Sequence, residues 1–106
     1  MILFFRNKMG IPGRATFSKG ELNLILSVYG ERVKNGEWRD YAIDCKSDVA
    51  VFSVFRSSHE TPLYAIAKYP GRSILKPAQY TVYEGNQPLK QGASLREVLE
   101  VFNDKE

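Results

Sequence analysis

The chain offers few side chains that could do covalent, acid–base or metal chemistry. His59 is its single histidine and Cys45 its single cysteine. A serine triad needs a base brought to its nucleophile by the fold, and Ser57 and Ser58 merely neighbour His59 in one polar loop. One Cys and one His do not supply a zinc or iron ligand set. Asp40 and Asp44 share one face of an expected strand, but four residues of strand separate them by about 13 Å. That is wider than the roughly 5–9.5 Å that paired carboxylates span in glycoside hydrolysis. Gly10 and Gly13 precede no Lys-Ser/Thr helix start, so no phosphate-cradling loop is written here. The expectation is a protein that is not an enzyme and that uses no cofactor or metal.

Cations and rings are the better candidates. The 106 residues carry a formal charge of +3, and the excess is uneven. Arg6, Lys8, Arg14 and Lys19 lie in the first twenty residues with no acid, and Lys68, Arg72, Lys76 and Lys90 face only Glu84 across residues 61–92. Such asymmetry suits an acidic partner. Arg6, Lys8, Arg14, Lys68, Arg72 and Lys76, with Tyr69 and Tyr80 among the last three, form the candidate nucleic-acid surface, since cations neutralise phosphates and rings stack on bases. A second cluster is Trp38-Arg39-Asp40-Tyr41, to which Arg56 is added. Trp, Tyr and Arg dominate interaction hot spots; the alternative for Trp38 is a core lid beside a local Arg-Asp pair.

The elements that must position these residues are legible. Ser18 and Glu21 form a Ser-x-x-Glu capping box, with Phe17 and Leu22 spaced as a hydrophobic staple. Leu22, Ile25, Leu26, Tyr29 and Val33 then keep helical spacing, and Asn35-Gly36 gives a left-handed stop. Gly30 within that helix reads as a close-packing position against the sheet. Asp40 to Lys46 alternates, with Tyr41, Ile43 and Cys45 on the core side, which makes Cys45 a buried structural thiol. Val49 to Arg56 is apolar on both faces, as a central strand would be. Leu63 to Tyr69 and Gln79 to Glu84 follow as strands, Gly85-Asn86 is a hairpin turn, and Pro88 confines any strand at Gln87–Gln91 to an edge. A second box, Ser94 and Glu97, opens a helix whose Leu95, Val98, Leu99 and Phe102 form a stripe.

The fold expected is therefore α+β: a helix, an antiparallel meander of four to five strands, and a helix, with both helices on one face of the sheet. Residues 1–16 read as a basic arm or edge strand and residues 17–106 as a single domain. Hydrophobic content of 43% and charged content of 25% are globular values. A lone cysteine excludes a disulfide-stapled secreted scaffold, and no apolar run approaches the ~20 residues of a membrane helix, so a cytoplasmic protein without membrane attachment is expected. A free sheet edge would permit a homo-oligomer.

The order of elements is similar to double-stranded RNA-binding domains, which carry a lysine cluster at the start of the last helix. Here that helix, SLREVLEVFNDKE, is net acidic. The stretches ELNLILSVYG, GEWRDYAID, AVFSVFR and TPLYAI resemble a small family of uncharacterised alphaproteobacterial proteins carried as a domain of unknown function. The resemblance covers roughly residues 16–102. It implies a bacterial, cytoplasmic setting and brings no catalytic residues. The function expected is a non-enzymatic binding or adaptor module that meets another macromolecule through the sheet face and adjoining loops. The alternative is nucleic-acid binding through the arm and the 68–76 loop.

Overall fold

The computed structural model describes residues 15–57 and 61–103. Helix α1 (Lys19–Lys34) leads into strands β1 (Asp40–Lys46), β2 (Val49–Phe55), β3 (Tyr64–Tyr69), β4 (Gln79–Glu84) and β5 (Gln87–Gly92), and helix α2 (Leu95–Leu99) tightens into a 3-10 turn over Glu100–Asn103. All neighbouring strands are antiparallel and the sheet follows chain order from β1 to β5. This is the expected α+β meander, with five strands.

The ends of α1 follow from its caps. Ser18 Oγ accepts from the Glu21 amide at 3.1 Å while Glu21 Oε1 accepts from the Ser18 amide at 2.7 Å. A cap of this kind contributes about 1 kcal/mol. At the other end Gly36 takes a φ of 78°, and the Glu37 amide returns to the Arg32 carbonyl at 2.8 Å. That closes the helix as left-handed glycine stops do.

The register decides which side of the sheet is core. Ile43 lies opposite Phe52, Phe52 opposite Ile66, and Ile66 opposite Val82. Because side chains alternate, this row shares one face. Ile25 of α1 and Leu95, Val98, Leu99 and Phe102 of the C-terminal helical segment join the same buried cluster, so both helices cover that face. The other face carries Val51, Phe55, Tyr69 and Tyr83, all half-buried, with Asp44 and Lys46 exposed near β1's end.

Three local expectations are corrected. Leu26 and Val33 are exposed, and Arg32 is buried in their stead. Leu22, Ile25, Tyr29 and Arg32 lie on one helical line, whereas Leu26 and Val33 lie on the adjacent one; both lines fit a 3.6-residue period. Gly30 does not pack against the sheet, because a Cβ built there would meet nothing within 4 Å. Cys45 is half-buried rather than buried, since it sits beside the β1–β2 turn, where its Sγ approaches the Ser47 carbonyl at 3.7 Å. That turn is closed by Ser47 at a φ of 58°, a left-handed position that glycine or asparagine usually marks.

Ala15 and Thr16, which the sequence assigns to the arm, are tied to the sheet. Ala15 is buried and its amide donates to the Asp48 carbonyl at 2.9 Å. The Thr16 carbonyl accepts from Lys68 Nζ at 2.7 Å.

Candidate functional site

The strands end in two different surroundings. Where β2 and β4 end and β3 begins, Arg32, Glu37, Trp38, Arg56, Leu63, Tyr64, Glu84 and Phe102 line a cleft of about 300 Å³. Its floor is aromatic. Trp38 meets Phe102 edge-on with ring centroids 5.1 Å apart, and Tyr64 meets the same phenyl ring at 5.1 Å. Arg32 crosses beneath, donating from one nitrogen to the Phe102 carbonyl and from the other to Glu37 Oε1 at 3.0 Å. Arg32 is 7% exposed. A buried cation whose donors are satisfied in this way anchors the C-terminal turn to α1 and Glu37.

Of the five residues expected at a partner surface, the structure gives Trp38 and Tyr41 to the core instead. Trp38 is 3% exposed, which matches the lid alternative. Tyr41 stacks on Phe52 at 4.8 Å and meets Tyr29 edge-on at 4.8 Å, because alternation along β1 points it at the helices. Burial, with the nearby Asp40 charge and Tyr41, raises the Tyr29 hydroxyl pKa above its ordinary value. Arg39 and Arg56 are exposed, and Arg56 stands on the cleft wall. Asp40 turns its Oδ1 to the Tyr41 amide at 2.9 Å. The cleft therefore unites Trp38 and Arg56 and leaves Tyr41 out.

The cationic set divides as well. Arg6, Lys8 and Arg14 lie outside the described residues, as does His59. Lys68 is removed from any outer surface: it stands opposite Ala50 and Tyr80 on the helix-covered face. Its Nζ pairs with Glu21 Oε1 at 2.8 Å and lies 6.0 Å from the centre of the Tyr80 ring. Tyr80 donates its hydroxyl proton to the other Glu21 oxygen. Burial pushes the Glu21 carboxyl up, but the hydrogen bonds from Lys68, Tyr80 and the Ser18 amide, together with the Lys68 charge, outweigh it and hold the group below its ordinary value of 4.5. Burial and then the Glu21 hydrogen bond and charge push the Tyr80 hydroxyl well above its ordinary range. The cluster is a structural clasp between the start of α1 and the sheet.

Arg72 and Lys76 remain exposed. With Asp48, Tyr69, Pro70, Pro77 and Gln79 they line a groove of about 290 Å³ at the end of the sheet away from the cleft. Tyr69 leans over the open face, where its hydroxyl meets that of Tyr83 at 2.5 Å. The register places Ala67 and Thr81 between the two rings, and both are buried. The hydrogen bond to Tyr83 and then burial push the Tyr69 hydroxyl up to about 12.

Among the described residues the most exposed apolar side chains lie beside this groove, and their spacing does not mark them. Ile74 is 96% exposed and Leu75 is 89% exposed. The signal was present: an aliphatic pair sits between Pro70-Gly71 and Pro77, where no strand or helix period calls for one. Arg32 carries no such signal, because an arginine on an amphipathic helix reads as solvent-facing. Among the described residues no group of three or more His, Cys, Asp and Glu could hold a metal, and no helix is long and apolar enough to cross a membrane.

No curated protein and no solved structure matches the chain. A family model described as a protein of unknown function (DUF2794) matches residues 15–99, the span that holds the whole sheet, α1, α2, the clasp and the exposed turn. The chain belongs to that family of unknown function.

Proposed function

We propose that the protein is a non-enzymatic binding or adaptor module that meets another macromolecule, a protein in the first instance, through the open face of its sheet and the adjoining loops. One observation carries this reading. Both helices cover a single face, while the other exposes parts of Val51, Phe55, Tyr69 and Tyr83 beside Asp44 and Lys46. Aromatic and aliphatic surface with a polar rim is the anatomy of a protein contact. The cleft beside Arg56 is at the small end of ligand pockets, and so suits a partner's side chain better than a cofactor. Photo-crosslinking residues placed at Asp44, Arg56 and Ser27 test the proposal in cells that make the protein. The reading expects discrete adducts from positions 44 and 56 and none from Ser27 on the outer face of α1. Adducts from all three alike, or from none, would overturn it.

A second reading, nucleic acid, is favoured by Arg72, Lys76 and Tyr69 lining one groove. It expects RNA or DNA binding that weakens steeply with salt; no binding at low ionic strength removes it. On either reading we place the protein in the bacterial cytoplasm. A second copy would pair along the edge at β1, since β5 bears Pro88, and light scattering at two concentrations would register that pairing.

A further inference from the structure

The 70–78 loop is a built projection. The Arg72 amide donates to the Lys76 carbonyl at 2.8 Å, and Ser73 and Lys76 close a tight turn through the Lys76 amide, which donates to the Ser73 carbonyl at 3.0 Å and to Ser73 Oγ at 3.2 Å. Behind the turn the two arms approach so closely that a Cβ on Gly71 would lie 2.8 Å from the Ala78 nitrogen and 3.1 Å from the Pro77 carbonyl carbon. Ile74 and Leu75 occupy the two central positions and hold their side chains in solvent. Exposing both costs hydration free energy and returns nothing to the core.

We infer that this turn is a peripheral membrane-docking tip: Ile74 and Leu75 enter the interfacial layer of an anionic bilayer while Arg72 and Lys76, one on each arm, meet the headgroup phosphates. This goes beyond the protein-contact reading, replaces the expectation of no membrane attachment with a peripheral contact that needs no spanning helix, and uses the opposite end of the sheet from the cleft. Three observations favour a lipid surface over a protein pocket. The tip is aliphatic and almost wholly exposed, and leucine is under-represented among protein hot spots, which favour Trp, Tyr and Arg. No Asp or Glu occurs between Thr61 and Tyr83, so the projecting segment presents only positive charge to an anionic plane. An apolar tip beside cations is the combination that holds proteins at an interface without spanning it. Asp48 is the acid on the same groove, and its carboxylate opposes the attraction.

Sedimentation of the full chain with vesicles tests this, using 70:30 phosphatidylcholine:phosphatidylglycerol against pure phosphatidylcholine. The expected result is binding to the anionic vesicles that falls at least ten-fold in Ile74→Ser/Leu75→Ser, falls in Arg72→Gln/Lys76→Gln and at high salt, and rises in Asp48→Asn. Far-ultraviolet circular dichroism of each variant confirms that it is folded. No binding to either vesicle, equal binding to both, or binding that survives the tip substitution would overturn the inference. So would salt-sensitive RNA binding that the Arg72→Gln/Lys76→Gln variant loses and the tip variant keeps, with no vesicle binding by the native chain.

Discussion

The two ends of the sheet spend similar residue types on opposite tasks. At the cleft end, Trp38, Tyr64 and Phe102 turn inward and a buried arginine ties α1 to the C-terminal turn. At the turn end, Ile74 and Leu75 face water and Arg72 and Lys76 stay exposed. Buried rings and the buried Arg32 thus hold the fold together at one end, whereas the aliphatic and cationic side chains of the loop at the other end are left out of the core. The difference lies in the local chain. The cleft end gathers residues from α1, from β3, β4 and the end of β2, and from the C-terminal segment, so that Trp38 and Phe102 are buried there. The 70–78 loop leaves the sheet and folds only on itself.

The contrast is broken most forcefully at Trp38. Trp38→Ala removes a buried indole and should cost about 3–5 kcal/mol, read as a fall in the urea midpoint. A loss below about 1 kcal/mol would mean that Trp38 is not part of the core. Gly71→Ala comes next, because the added methyl meets backbone atoms that cannot yield without moving the loop. It should cost about 1–3 kcal/mol, the range for overpacking, and should loosen amide protection at Lys76. Arg32→Met keeps the aliphatic stem but leaves the Phe102 carbonyl without its donor. The expected cost is about 1–3 kcal/mol, with proteolysis of the C-terminal turn rising in parallel.

The Glu21 clasp sharpens the comparison through pH. Its carboxyl titrates below the unfolded value because it holds Lys68 and Tyr80. Its contribution is therefore present at neutral pH and is lost as the pH falls through and below about 4.5. Glu21→Gln should destabilise the protein by about 1–2 kcal/mol at pH 7 and by progressively less in acid, so the two stability–pH curves converge. Parallel curves would assign the acid dependence to other groups.

Much of the fold was legible because it rests on local signals. Ser18 with Glu21, Gly36 after Asn35, and the alternation of Tyr41 and Ile43 each specify backbone or facing within a few residues. What escaped reading depended on distant partners. Arg32 is core only because the Phe102 carbonyl, seventy residues away, receives it. Lys68 looked like a phosphate ligand until Glu21 was brought to it from α1. Ser47 holds a left-handed turn with nothing in its type to announce it. The candidate surfaces were half legible: Arg56, Arg72 and Lys76 stand out by charge, whereas Ile74 and Leu75 follow no strand or helix period and their facing is set only by how the 70–78 loop closes.

The division between rings packed into the core at one end and aliphatics left out of it at the other is tested most directly by urea unfolding of Ile74→Ser/Leu75→Ser beside the native chain. Residues that serve only an outside surface leave stability within about 0.5 kcal/mol, and an unchanged midpoint and slope is the result the account expects. A loss approaching that of Trp38→Ala would show that the tip packs within the fold, and the contrast between the two ends would fall.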